Sequence, residues 1–388
     1  MLASSGSASA SGKQYDPGAS DSEIVIGNIV PYSGPASAYG VIGRALAAYF
    51  AMLNAQGGIA GRRIRVLSVD DGYSPPRTVE QARRLVEQER VLFIAQVLGT
   101  APNVAIQRYL NQRRVPQLFV ATGATRWGDP TQYPYTMGWQ PSYQSEARVY
   151  ARHILETRPA ARIAVLMQND DYGRDYFKGL QDGLGPRAAS MIVAQTSYEV
   201  TDPTIDSQII RLKASGADTF FNITTPKFAA QAIRKAYEIA WRPQHYLNSV
   251  SNAVAAVMMP AGAEAGVGIL SSNYIKDPTD PQWQGTREHD AWLDWMKRWH
   301  SGGDLRDSFN VYAYCVAQTL EQVLRQCGDE LTRDNVMRQA ANLDMALPML
   351  LPGVKVKTAP DDFFPVDSLQ MMRFSGRSWE RFGPVYGA

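Results

Sequence analysis

Residues 91–125, VLFIAQVLGTAPNVAIQRYLNQRRVPQLFVATGAT, restrict the fold more than any other stretch of the chain. Two apolar runs, Val91–Val97 and Pro116–Ala121, read as strands. Each ends in a small-residue turn, Leu98-Gly99-Thr100 and Thr122-Gly123-Ala124-Thr125. Between them, Pro102–Arg113 has helical spacing, with Val104, Ile106 and Leu110 on one side and Gln107, Arg108 and Gln112 on another. A right-handed strand–helix–strand crossover makes the two strands parallel, so both turns open at one edge of one sheet. That edge, outside the carboxyl ends of the strands, is where open α/β sheets take ligands. Thr100 is placed to cap the helix, with Pro102 in its first turn. Gly99 and Gly123 leave backbone N–H groups approachable, and the positive end of the helix favours a carboxylate there. Ordinary strand-to-helix turns use the same residues, which leaves a structural role open.

The unit sits in a longer alternation. Glu23–Val30 reads as a strand, Val41–Asn54 as an amphipathic helix stopped at Gln56-Gly57-Gly58, Arg63–Val69 as a strand, and Pro76–Glu89 as a helix. Asp70-Asp71 closes the second strand. Neighbouring strand residues point to opposite faces, so the pair reads as turn formers and not as an acid/base couple. After Pro134 the alternation restarts. Helices are expected at Gln144–Glu156, Tyr172–Leu184, Thr204–Ala214 and Pro226–Ile239. The intervening strands are Arg162–Gln168, Ser190–Ser197, Asp218–Asn222 and His245–Leu247. Gly268–Asn273 reads as a return strand, then helices Ala291–His300, Phe309–Cys327 and Thr332–Ala341, and a hairpin of Ser368–Phe374 and Arg377–Phe382. Two doubly wound α/β lobes with a cleft between them follow. Trp292, Trp295 and Trp299, at helical spacing, read as a packing face.

At 388 residues the chain is long enough for two such lobes. A net charge of +2 calls for neither nucleic acid nor an anionic membrane. Cys315 and Cys327 lie ~18 Å apart along one expected helix, so they read as separate thiols. Residues 1–22, rich in Ser, Ala and Gly, read as a flexible leader without the basic start and apolar core of a signal peptide. Ser251–Leu270 contains Pro260 and Glu264 and is rejected as a membrane span. No zinc, thiol-redox, nucleophile-elbow, phosphate-loop or dinucleotide motif occurs, so no metal, cofactor or catalytic group is expected.

Several short motifs together carry a resemblance. They are Ser33-Gly34-Pro35 with Ala38-Tyr39-Gly40, NAQGGIAGR over 54–62, Asp70-Asp71, the turns at 98–100 and 123–125, Asp171-Tyr172-Gly173 before a helix, and FNVYAYCVAQT over 309–319. In order and spacing the chain resembles the type I periplasmic solute-binding proteins of ABC importers, the Leu/Ile/Val-binding family, from Glu23 to the C-terminus. The resemblance implies two Rossmann-like lobes, residues 23–140 with 273–348 and residues 141–272 with 349–388. Three hinge crossings are expected near Trp139–Ser142, Leu270–Asn273 and Leu347–Leu351. It implies a monomeric periplasmic protein that closes on a small molecule and presents it to a membrane permease. A sensor ectodomain of the same fold is the alternative. Tyr39, Leu98, Gly99, Thr100, Thr122, Gly123, Ala124 and Thr125 are expected on one wall. Tyr172, Asn222, Thr224, Val250 and Ser251 are expected on the other.

One departure bears on the ligand. Amino-acid binders of the family keep an acidic residue on the turn that aligns with 249–251, to pair with the ligand ammonium. This chain reads Asn248-Ser249-Val250-Ser251-Asn252. A buried ammonium without an anionic partner costs several kcal/mol. The expected ligand is therefore an aromatic or hydrophobic carboxylate, with Tyr39, Tyr172 and Tyr73 or Trp127 as aromatic walls; a branched-chain amino acid is the alternative. On this reading Thr125→Val removes a hydroxyl from the carboxylate cradle and weakens binding by ~1–3 kcal/mol, measurable by calorimetric titration.

Overall fold

The computed structural model describes residues 12–387. The first lobe runs through β1 (Glu23–Val30), α1 (Val41–Ala55), β2 (Arg63–Asp70), α2 (Pro75–Arg83), β3 (Phe93–Ala95), α3 (Thr100–Gln112) and β4 (Gln117–Leu118). Its sheet has the order β2-β1-β3-β4 and is parallel throughout. The central strand β1 is buried along almost its whole length, as a strand covered by helices on both faces must be. β3 and β4 are shorter than the apolar runs that contain them. Gln96 and Phe119 take φ of 51° and 49°, which interrupts the extended backbone. A parallel bridge from Leu98 to Ala121 resumes the pairing beyond them and sets the two small-residue turns side by side.

The chain then builds α4 (Tyr143–Thr157), β5 (Ile163–Gln168), α5 (Asp171–Leu184), β6 (Ile192–Tyr198), α6 (Asp206–Ala214), β7 (Thr219–Ile223), α7 (Pro226–Glu238), β8 (Gln244–Leu247) and β9 (Leu270–Asn273). It returns for α8 (Arg287–Trp299), α9 (Ser308–Cys327) and α10 (Arg333–Ala340), and ends in the hairpin β10 (Leu369–Phe374) and β11 (Trp379–Tyr386). The second sheet has the order β11-β10-β9-β8-β7-β5-β6; β5 to β9 are parallel and the hairpin is antiparallel. Helix starts follow the sequence closely. Ser142 caps α4 by accepting from Ser145 N, Asp170 caps α5 through Gly173 N, and Asp307 caps α9 through Phe309 N.

This is the two-lobed α/β architecture expected from the sequence. Trp292 and Trp295 are buried in the first lobe's core, and Trp299 at the helix end is exposed. Cys315 and Cys327 are separate buried thiols. Burial pushes the Cys327 thiol up to about 12, which leaves it inert at neutral pH. The expected leader falls, over residues 1–11, outside the described residues. Beyond it, Gln14–Tyr15 pairs with Glu330–Leu331, and the Arg62 guanidinium donates to Tyr15 Oη and Asp329, so this stretch is built into the first lobe. The apolar run Leu347–Leu351 packs in the first lobe's core; the chain passes to the second sheet between Val366 and Leu369. Val366 N donates there to Trp139 O, in the first crossing segment.

Asp70 and Asp71 act as turn formers on opposite faces. Asp70 accepts from Tyr32 N, Ser33 N, Ser33 Oγ and Gly72 N. Partial burial acts to raise its pKa, but these hydrogen bonds outweigh it and bring the carboxyl to about 2. Its contribution to stability is therefore full above the unfolded value of about 4 and is lost as pH falls through 2. Asp70→Asn is expected to lower unfolding free energy at pH 7 by roughly 1–2 kcal/mol, after allowance for its partial exposure. The gap to wild type should shrink as denaturant titrations move from pH 5 to pH 2.

Candidate ligand-binding cleft

The carboxyl ends of the first lobe's strands face the second lobe across a cavity. Its wall carries Tyr39, Tyr73, Tyr143, Tyr172, Tyr274, Tyr312 and Phe309, with Gln140, Asn252, Asn273, Ser249 and Ser308 among them and no ionisable acid or base apart from the phenols. Among the described residues, no group of three or more His, Cys, Asp or Glu side chains is arranged to hold a metal ion.

The first wall is built from the paired turns. Leu98, Gly99 and Thr100 line the cavity. Gly99 has φ of +92°, and a Cβ on it would lie 2.4 Å from the Tyr73 ring. Both the left-handed backbone and the ring pressed against it require glycine. Tyr73 itself has φ of +61° and is fixed by Asp71, whose Oδ1 accepts from Tyr73 N. The expected Thr100 cap is not made. Gly99 occupies the cap position, and the Thr100 hydroxyl pairs with Thr122 Oγ1 at 2.6 Å instead. The N–H groups of Thr100 and Ala101 are thus left without an intrahelical acceptor, at the positive end of a 13-residue helix.

The rest of the second turn lies behind this wall. Thr122 is buried against Thr100 and also accepts from Trp127 Nε1. Gly123 receives Tyr143 N on its carbonyl, with the Tyr143 ring packed where a side chain would sit, and Ala124 is buried in the neighbouring core. Thr125 N and Oγ1 both donate to Asp175 Oδ2 on α5, at 2.8 and 2.9 Å. These residues join the lobes.

From the second lobe, Tyr172 and Val250 line the cavity. Tyr172 is held by the rings of Tyr143 and Tyr176, and its hydroxyl is buried without a partner among the described residues. Tyr312 on α9 presents a second buried, unpaired hydroxyl. Asn222, Thr224 and Ser251 lie one layer back. Asn222 pairs with His245 Nε2 and accepts from Thr224 Oγ1, and Ser251 Oγ donates to Thr224 O. Desolvation pushes the phenols of Tyr39, Tyr73 and Tyr172 well above their ordinary range, so each is a neutral hydrogen-bonding group.

The cleft is closed. Tyr39 Oη donates to Val250 O at 2.8 Å, and Gln168 Nε2 donates to Tyr73 Oη at 3.4 Å, each across the lobes. Behind Ser249 lies a carboxylate that the sequence of the turn does not reveal. Glu146 on α4 accepts from Ser249 N and Oγ, Tyr150 Oη and Tyr176 Oη. Sequence reasoning also passed over Tyr143, Tyr274, Phe309 and Tyr312. The available signal was position: Tyr143 and Tyr274 border hinge segments, and Phe309 and Tyr312 open the 309–319 motif.

A closed cleft between two α/β lobes, at the carboxyl ends of the parallel strands of both, defines a type I periplasmic binding protein. The chain belongs to the periplasmic binding protein family, whose profile matches residues 23–378. It is similar to a leucine-specific-binding protein of Salmonella typhimurium, 25% identical over 232 residues, which covers 59% of this chain and 61% of that one. The match thus spans about three-fifths of that relative's length. Among solved structures, a branched-chain amino acid ABC transporter from Thermus thermophilus with bound valine superposes with a TM-score of 0.82 at 15% identity, covering 96% of this chain and 97% of that one. A solute-binding protein from R. palustris in complex with 4-hydroxybenzoate superposes with 0.78 at 16% identity, covering 94% and 97%.

Thr125→Val and Asp175→Ala are each expected to weaken ligand binding by ~1–3 kcal/mol through loss of the closed form. The double variant should lose no more than the larger single change, because both remove one interlobe contact. Calorimetric titration of the three variants checks this; additive losses would place the Thr125 hydroxyl on the ligand instead.

Proposed function

We propose that this chain is the extracytoplasmic solute-binding component of an ABC importer, and that it captures a small aromatic or hydrophobic carboxylate. The observation that carries the reading is the cavity wall: aromatic on most sides, free of charged side chains, and open at one place to the unsatisfied amino end of α3. A carboxylate accepts from backbone N–H groups there and gains from the helix dipole without a cationic partner. The unpaired hydroxyls of Tyr172 and Tyr312 supply further donors. The ring of the ligand replaces water against the tyrosine faces, at separations where aromatic pairs attract. Hinge closure buries the ligand and strengthens every polar contact in the cavity. The closed pair of lobes is the surface offered to the membrane permease, and no bond of the ligand is made or broken.

Glu146 favours a second reading, an α-amino acid, because its carboxylate lies one hydroxyl behind the wall. Four donors already occupy it, so an ammonium at the wall gains only an indirect partner. That keeps the acid ahead.

A thermal-shift panel of benzoates, hydroxycinnamates, aliphatic acids and amino acids tests the reading. A ligand at about 100 times its dissociation constant stabilises the native state by ~2.7 kcal/mol, a clear rise in midpoint. Aromatic acids are expected to raise it and leucine and valine not to. A shift by an amino acid alone overturns the reading.

A further inference from the structure

The polarity of the second wall is set by a group that never reaches the cavity. Glu146 is buried on α4, and its two oxygens accept from Ser249 N at 2.7 Å, Ser249 Oγ at 2.6 Å, Tyr176 Oη at 2.7 Å and Tyr150 Oη at 2.8 Å. Ser249 N–H is an obligate donor, and among the described residues Tyr176 Oη has no other hydrogen-bond partner. Burial pushes the Glu146 pKa up, while the hydrogen bonds from Ser249, Tyr176 and Tyr150 act to lower it. In its ionised form the carboxyl only accepts, and the single proton of the Ser249 hydroxyl is then committed to Glu146. Ser249 lines the cavity, and what its oxygen retains for a ligand is lone pairs. The first wall is the opposite: the N–H groups at the start of α3 only donate.

We propose that Glu146, acting through Ser249, sets the specificity of the cleft, and that the ligand presents a hydrogen-bond donor to the second lobe. On the aromatic-acid reading, on which this inference rests, that donor is a phenolic hydroxyl, and the ligand class is a hydroxylated aromatic acid. The carboxylate sits at the donor wall and the hydroxyl at the acceptor wall, so the two lobes read the two ends of one molecule. A ligand lacking the hydroxyl leaves a buried oxygen without its partner, which is how a polar site rejects a deoxy analogue. Glu146 is a positioning residue and Ser249 the contact.

Calorimetric titration of the whole chain with 3- and 4-hydroxybenzoate, benzoate and 4-formylbenzoate tests this in wild type, Ser249→Ala and Glu146→Gln. Wild type is expected to bind one hydroxybenzoate at least about tenfold tighter than benzoate. Ser249→Ala should cut that ratio to less than about threefold. In Glu146→Gln the amide N–H donates to Ser249 Oγ and frees its proton to turn into the cavity. The preference should move toward 4-formylbenzoate, which only accepts. A merely structural Glu146 would weaken all four ligands alike and leave the ratios where they were. If Glu146→Gln does not fold, Ser249→Ala carries the test alone. Benzoate and hydroxybenzoates binding equally to wild type, or a ratio that survives Ser249→Ala, overturns this inference and leaves the aromatic-acid reading standing. Binding of no aromatic acid at all overturns both.

Discussion

The right-handed crossover between parallel strands governs this molecule. It forces every strand of the first lobe to end at one edge, and the second lobe, built the same way, brings its own carboxyl edge to face it. The loops at those edges lose backbone partners as the strands stop. The amino ends of the following helices add unpaired N–H groups. Polar backbone and side chains thus gather at a place where the two lobes enclose space. The cavity is the geometric consequence of two such sheets hinged together.

The interactions that close the cleft are uncharged or lie at its margin. Tyr39 reaches the Val250 carbonyl, Gln168 reaches Tyr73, and the Thr125 turn grips Asp175 at the rim. Neutral hydrogen bonds of this kind contribute modestly each, which suits a hinge that must open again. Burial keeps the phenols protonated, so closing the lobes brings no phenolate charge into the low-dielectric interior. The same tyrosines furnish the apolar faces against which a flat ligand packs.

Much of this was legible in the chain. Apolar runs, helix periodicity and turn residues placed the main strands and helices within a few residues, and the paired turns at 98–100 and 122–125 pointed to the edge where the cavity lies. Leu98, Gly99, Thr100, Tyr39, Tyr172 and Val250 are on the wall. The differences have local causes. Left-handed residues at Gln96 and Phe119 shortened two strands, and the apolar run 347–351 that resembled a crossing segment was claimed by the first lobe's core.

What the sequence determined by itself is periodicity and chain order, because those depend on neighbours within a few residues: two doubly wound lobes, and two thiols too far apart to join. Which atom faces the cavity was decided only by tertiary packing. Thr125 reads as a cradle hydroxyl until α5 brings Asp175 beneath it. The 248–252 turn reads as lacking a carboxylate until α4, about a hundred residues earlier in the chain, lays Glu146 behind Ser249. A hydrogen bond between residues far apart in sequence leaves no local pattern, and whether a hydroxyl meets a ligand or a neighbour is set by such bonds.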